Sequence, residues 1–263
     1  MKNFLIISLI SLMFSVCASA GTDGENNLSK KNDKPIKDCF ESLNRATFSL
    51  NNKLDKVIFK PVAKTYRKLP SEIRVGTGNL LENLSALVTI PNNILQGEFK
   101  TAGVNTGRFI INTTIGILGT INIAEKIGFS EYEKEDYGQT LGVWGVGAGC
   151  YLVLPVLGPS TVRDTTGSFV NALGGDPYYN ASIGGNNNYL NDSDYLMTKF
   201  LTGVDFRAKN LETLDNLKSN SMDFYASVRS LYLQDRKQKI INSNSNKALE
   251  IIYDADWEEI ETQ

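Results

Sequence analysis

Residues Tyr137–Asp164 read YGQTLGVWGVGAGCYLVLPVLGPSTVRD. Six glycines and two prolines interrupt a run of large apolar side chains, and the first charges after Tyr137 are Arg163 and Asp164 at the far end. Glycine disfavours helix and strand alike, because its unfolded backbone has the most freedom to lose. A segment this apolar must be held against something apolar, yet its composition lets it bend. That combination fits a movable element at a protein or lipid boundary better than an ordinary core strand.

The rest of the composition narrows the function classes. The chain has 263 residues, 41% of them apolar and 21% charged, which is globular rather than disordered. A net charge of −2 lacks the basic footprint of a nucleic-acid binder. There is no histidine. Ser-His-Asp and Cys-His hydrolases need an imidazole base, and catalytic zinc sites mostly need imidazole ligands, so neither a metal centre nor a cofactor is expected. Ser160 follows Gly158-Pro159 without a G-x-S-x-G elbow, which leaves a turn or cap residue, or at most a Ser-Lys dyad.

Lys2 precedes an apolar stretch from Phe4 to Val16, too short to span a bilayer comfortably, and Cys17-Ala18-Ser19-Ala20 follows. This reads as a secretory signal peptide. Cleavage before Cys17, giving a signal of residues 1–16, leaves a cysteine for lipidation. Cleavage after Ala20, giving residues 1–20, fits the Ala-x-Ala rule. Residues 17–37 are polar and read as a tether, and 242–263 as a polar, partly acidic tail. Export leaves Cys39 and Cys150 in an oxidising compartment, either as two thiols or as a bridge worth up to roughly 4–5 kcal/mol.

The domain between, residues 38–241, is mainly helical in pattern. Asp38 is placed to cap a helix with Phe40, Leu43, Thr47, Leu50, Leu54, Val57 and Ile58 near one face, ended or kinked at Pro61. Ser71-Glu72 opens a helix that stops at Pro91, and Glu98–Leu118 reads as another. Glu131–Asp136 reads as a solvated acidic patch. A short helix is expected over Ser168–Leu173 and turns over Gly174–Asn188. The last helices are expected over Tyr189–Leu201, Asp205–Leu217 and Ser221–Ile241. The broad apolar stripes contain Asn79, Asn83, Asn92, Asn105 and Asn112. Taken singly these suit solvated edges or caps; taken together they suit helices with lipid on one side and a wet polar cavity on the other.

In order along the chain stand Asp38-x-Phe40-Glu41-x-x-Asn44-Arg45, Leu95-Gln96-Gly97, Arg108-Phe109 with Asn112-Thr113, and Gly138-x-Thr140-Leu141-Gly142. Then come the alternating Gly145, Gly147 and Gly149, Leu154-Pro155 with Gly158, Arg163-Asp164, Arg207-Ala208, and Arg229, Tyr232 and Gln234. This collinear series resembles the VacJ/MlaA family of outer-membrane phospholipid-transport lipoproteins. The resemblance implies a ring of amphipathic helices lying in the inner leaflet of the Gram-negative outer membrane, on the periplasmic face. A Gly-rich hairpin, here Gly145, Gly147 and Gly149, would act as hinge beside a central channel. Phospholipid strayed into the outer leaflet would pass to a periplasmic lipid-carrier protein, preserving lipid asymmetry, often beside a trimeric porin. No covalent chemistry is required.

Two departures stand out. The family usually has proline where Cys39 and Cys150 stand, which favours pairing them and would tether the hairpin to the first helix. Asn122 stands where the family carries Asp. For Arg163-Asp164 the readings are a local ion pair or a head-group contact, and Arg45 and Arg108 share that ambiguity. A different class of function, a surface or periplasmic lipoprotein that scaffolds porins or contacts a host, is the alternative.

Overall fold

The computed structural model describes residues 36–171, 175–180 and 191–241; the signal segment, Cys17, all but the end of the tether and the tail lie outside the described residues. Among the described residues the fold is mainly α, as expected, with one two-stranded antiparallel sheet. None of the described helices is long and apolar enough to cross a membrane.

Helix α1 spans Glu41–Leu54. It begins after Phe40 with no side-chain cap, so the expected cap at Asp38 is not made. Asp38 instead accepts from Asn44 Nδ2 at 2.7 Å and from the Tyr225 hydroxyl. Pro61 does not end the helix. A π-helical stretch, Asp55–Phe59, leads into α2, Lys60–Tyr66, with the proline in its first turn. One wide turn lets the backbone absorb the missing N–H and the bulk of the ring.

Helix α3 runs Ser71–Gln96, straight past Pro91 where a stop was expected. The turns beyond the proline are held by buried amides: Asn92 Nδ2 donates to Val88 O at 2.8 Å and Asn93 to Glu98 at 3.2 Å. Gly97, at φ 81°, ends the helix. Helix α4, Phe99–Thr114, folds back antiparallel, with bonds from Asn105 to Asn93, Asn83 to Thr113 and Asn79 to Thr120. It stops four residues short of Leu118, because Ile117 and Leu118 both take left-handed backbone conformations. A short α5, Ile123–Lys126, is capped by Asn122.

Helix α6, Tyr137–Val143, is capped by Asp136 and leads through the coil carrying Gly145, Gly147 and Gly149 into β1, Tyr151–Leu154, and β2, Gly158–Thr161. The strands pair Tyr151 with Thr161 and Leu154 with Gly158. Cys150, just before β1, is joined to Cys39, their Cα atoms 5.6 Å apart, and Tyr151 N donates to Lys37 O beside it. Helix α7, Val162–Val170, is capped by Thr161 and crosses α6 at Gly138 and Gly167. A Cβ on Gly167 would lie 2.3 Å from Gly138 N, so only glycine permits that approach. The α7 helix begins six residues before the expected Ser168, and Leu173 lies outside the described residues.

Most of the expected turn-rich Gly174–Asn188 also lies outside them; Pro177–Tyr179 is a short α8. Helix α9 covers Asp192–Lys209, α10 Leu211–Asn220 and α11 residues 224–241. A helix start at Asp205 is therefore corrected: that side chain lies within α9 and accepts from the Tyr66 hydroxyl at 3.1 Å.

The interior inverts the usual arrangement. Among the described residues, buried polar and charged side chains outnumber buried hydrophobic ones, and the largest fully buried side chains include Gln96, Gln139, Asn44, Asn92 and Asn93. Several buried apolar positions are alanines. The bulky apolar side chains face outward: Leu43, Leu50 and Val57 on and just beyond α1, Ile73 and Val75 on α3, Phe99 and Ile110 on α4.

Candidate functional site

Of the five asparagines in the apolar stripes, Asn83, Asn92, Asn105 and Asn112 are buried and Asn79 is half-buried, which overturns the solvated-edge reading. On α4, Asn105, Arg108 and Asn112 recur at helical spacing on the buried face while Phe99 and Ile110 are exposed on the other. Each amide is paired within the fold, as buried polar groups must be. Thr140 Oγ1 donates to Asn92 Oδ1 at 2.6 Å and accepts from Gln96 Nε2 at 3.0 Å, which ties α6 to α3.

A separate set of residues lines a cavity of about 640 Å³. Its wall is drawn from α3 (Leu81, Leu84, Val88), the extended stretch before α6 (Tyr132, Lys134–Asp136), the β hairpin (Leu154, Leu157, Pro159, Ser160), α7 (Asp164), α9 (Thr198–Lys209) and α11 (Tyr232, Arg236). Segments remote in sequence thus enclose one space, largely apolar along the hairpin and along α3, where Glu82 and Ser85 also line it, and charged along α7, α9 and α11.

The charged side is organised by Arg236. It donates to Asp136 at 2.6 and 2.9 Å and to Asp164 at 2.9 Å. Burial alone would raise both carboxyls, but the guanidinium holds each below its ordinary range, helped at Asp164 by Arg163 and the Tyr232 hydroxyl. Burial, followed by the Asp164 charge, pushes the Tyr232 phenol up. Glu135 behaves in the opposite way. It is buried, and desolvation outweighs the hydrogen bond from Gln96, so its carboxyl is pushed up to about 7. Glu131–Asp136 is therefore only partly the solvated patch its charges suggest: Glu131 and Glu133 face solvent, while Glu135 is buried and Asp136 is ion-paired.

The β hairpin is fastened along its outer edge by helix α1. Asn44, buried, donates to Tyr151 O at 3.0 Å and accepts from Val153 N at 2.9 Å. Asn51 donates to Leu154 O at 2.9 Å and accepts from Val156 N at 2.8 Å.

The other signature positions fall into separate places. Arg163 forms the local ion pair with Asp164, 2.9 Å apart and buried. Arg45 pairs with Glu41 and Asp223 over the Tyr225 ring, and Arg207 with Asp55 and Asp215. Arg108 donates to Ser130 O at 2.6 Å and to Asn122 Oδ1 at 3.4 Å; Asn112 also donates to Asn122. Gly138, Gly142 and Gly167 serve close packing: a Cβ on Gly142 would lie 2.5 Å from Ile240. Leu141 is half-buried, and Pro155 and Gly158 shape the hairpin turn. Of the signature positions, Asp164 lines the cavity, whereas Arg45, Arg108, Arg163 and Arg207 are spent on protein partners. Gly145, Gly147 and Gly149 lie in the coil before the hairpin and do not line the cavity. Ser160 does line it, yet its Oγ pairs with Thr165 Oγ1 at 2.9 Å and with Thr161 O, with no basic partner among the described residues.

Sequence reasoning missed Tyr132, Lys134, Glu135, Asp136 and Arg236 as cavity residues. For the first four the signal was the extended run itself, which turns side chains to more than one face and so sends some charges inward; Arg236 stands on α11 and carried no such signal.

A sequence model of the MlaA lipoprotein family matches residues 36–239. The chain is 30% identical over 254 residues to "Intermembrane phospholipid transport system lipoprotein MlaA" of Haemophilus influenzae, covering 95% of this chain and 94% of that protein. The protein of the same description from Escherichia coli K12 is 32% identical, with 89% and 86% covered. A solved structure described as "Structural basis for maintenance of bacterial outer membrane lipid asymmetry" superposes with a TM-score of 0.67 at 31% identity, covering 78% of this chain and 99% of that one. The match runs through the signature residues, the hairpin and the cavity walls alike, and the chain belongs to the MlaA lipoprotein family.

Proposed function

We propose that this chain is a non-enzymatic phospholipid conduit of the Gram-negative outer membrane. It removes phospholipid from the outer leaflet and passes it toward the periplasm, so that lipid asymmetry is kept. The observation that carries the reading is the inverted amphipathicity. Leu43, Leu50, Ile73, Phe99 and Ile110 face outward, while Asn83 and Asn105 are buried and Asp164 and Arg236 line a cavity with apolar and charged walls. Helices of this kind are stable lying in a leaflet, with acyl chains on one side and water and head groups on the other. The names of the relatives, an intermembrane phospholipid transport system among them, support the same reading.

In this reading the helices form a ring in the periplasmic leaflet, and the cavity is its channel. The coil with Gly145, Gly147 and Gly149 gives the hairpin side some freedom to change state. A trimeric porin would steady the ring, and a periplasmic carrier would receive the lipid. Cys17, if lipidated after signal cleavage, would add a surface anchor.

The test is a clean deletion in the native host, scored by labelling of surface phosphatidylethanolamine with an impermeant amine reagent. Labelling should rise and fall again on complementation. Unchanged labelling, with no second pathway present, sinks the proposal.

A further inference from the structure

The cations that line the cavity are Lys134, Lys199, Lys209 and Arg236. Three of them are neutralised by the protein. Lys199 pairs with Asp176 at 3.3 Å, Lys209 with Asp205 at 2.9 Å, and Arg236 with Asp136 and Asp164 at 2.6 and 2.9 Å. Lys134 differs. Its backbone carbonyl accepts from Gln139, but among the described residues its ammonium has neither a salt bridge nor a hydrogen bond.

Glu82 also lines the cavity, but no bond joins it to Lys134. Burial lowers the Lys134 pKa, and repulsion from Lys199 and Lys239 lowers it further. The carboxylates pulling the other way, Asp136 and Asp176, are already bonded to Arg236 and Lys199. Burial pushes the carboxyl of Glu135, next to it in sequence, up to about 7, so near neutral pH it carries only part of a charge. Lys134 nevertheless keeps accessible surface, because it faces the cavity and not packed protein. An exposed ammonium that faces a cavity and has no counter-ion in the protein favours a bound anion. The same cavity offers Leu81, Leu84, Val88, Leu154, Leu157 and Phe206 to an apolar ligand.

We propose that Lys134 is the phosphate contact of this cavity, holding the phosphodiester of a phospholipid while its acyl chains lie along the α3 and hairpin wall. This rests on the conduit reading above and adds the position and chemistry of the head-group site. A lysine acts here as a point charge with three rotatable donors, which suits a head group that must be held briefly and released.

The experiment uses the delipidated full chain in detergent, titrated with dihexanoylphosphatidylglycerol and separately with sodium phosphate, for wild type, Lys134→Gln, Lys134→Arg and the exposed control Lys56→Gln. Loss of one charge-assisted contact should weaken the short-chain lipid roughly tenfold in Lys134→Gln, with Lys134→Arg and Lys56→Gln staying within about threefold of wild type. Inorganic phosphate, lacking acyl chains, should bind far more weakly than the lipid. The Lys134 side chain makes no bond within the fold, so unchanged thermal unfolding of Lys134→Gln is expected and is checked in the same samples. If wild type binds no lipid, the conduit reading itself fails. If wild type and Lys134→Gln bind lipid equally, the conduit reading survives and the Lys134 assignment is overturned. Equal, Lys134-dependent affinity for phosphate and lipid would make this a free-anion site and also overturn the lipid assignment.

Discussion

Asn44 and Asn51 stand two turns apart on α1 and grip β1 three residues apart, Asn44 at Tyr151 and Val153, Asn51 at Leu154 and Val156. The spacings match because seven helical residues rise about 10.5 Å and three strand residues about 10 Å. Two side-chain amides thus stand in for a missing neighbouring strand, satisfying the edge of the hairpin that β2 does not cover. Asn44→Ala leaves a buried N–H and a buried C=O unpaired. It should cost about 2–4 kcal/mol in thermal or denaturant unfolding. Asn51 is less buried, and Asn51→Ala should cost about 1 kcal/mol. Equal stability of Asn44→Ala and wild type would show that the clamp holds nothing.

The Arg236 cluster should reveal itself through acid titration. Asp136 and Asp164 have carboxyl pKa values depressed by Arg236 against the pull of burial. Groups whose folded pKa is depressed contribute stability above their unfolded value, near 4, and lose it as pH falls through the folded values. Arg236→Met should therefore cost about 3 kcal/mol or more at pH 7, and that deficit should shrink below about pH 4. A deficit independent of pH would point to lost packing and not lost charge.

Glu135 has the reverse dependence. Its carboxyl is raised to about 7 by burial, so the folded chain holds a proton that the unfolded chain has released. The stabilising advantage of that neutral form is complete below about pH 4.5 and is lost as pH rises from there to about 7. Glu135→Gln, which keeps an acceptor for Gln96, should match wild type at acid pH and exceed it above pH 7 by on the order of 3 kcal/mol. Unfolding midpoints for the two proteins from pH 5 to pH 8 decide this.

The glycine coil before β1 can be tested without wrecking the fold. Gly147 has no positive φ and a Cβ there would meet no atom within 4 Å, whereas Gly145 sits at φ +88°. Gly147→Ala should change stability by less than about 0.5 kcal/mol, and Gly145→Ala should lose about 1 kcal/mol or more. If backbone freedom of this coil serves transport, Gly147→Ala should still raise surface phosphatidylethanolamine labelling. Wild-type labelling in that variant would remove the hinge.

The Cys39–Cys150 bond closes a loop with a sequence separation of 111 and sits at the root of both α1 and β1. Replacing both cysteines by serine should cost about 4–5 kcal/mol in the chain-entropy model. Non-reducing peptide mass analysis of protein taken from the periplasmic side should find the two linked; two free thiols would refute the pairing.

The helical character was legible in the sequence because apolar periodicity records which side chains share a face: Leu43, Leu50 and Val57 recur at helical spacing whether the face meets lipid or a core. Glycine and proline marked the hairpin, and the absence of histidine removed whole classes of chemistry. Periodicity does not say which face is inside. That was decided by tertiary structure, which turned Asn44, Asn83, Asn105 and Asn112 inward and left Leu43, Phe99 and Ile110 outside. Local signals at Pro91 and Asp38 were overridden for the same reason. Buried amides that must find partners offset a single local propensity, and some of those partners are distant: Thr140 for Asn92, Tyr151 and Val153 for Asn44. The burial of Glu135 and Arg236 likewise depends on bonds to distant segments, from Gln96 to Glu135 and from Arg236 to Asp136 and Asp164, that no local pattern encodes. The sequence by itself determined a mainly helical, amphipathic chain with a bendable apolar hairpin. Only the tertiary structure decided that its polar groups enclose a cavity, because hydrogen bonds between distant segments set the sidedness of every helix.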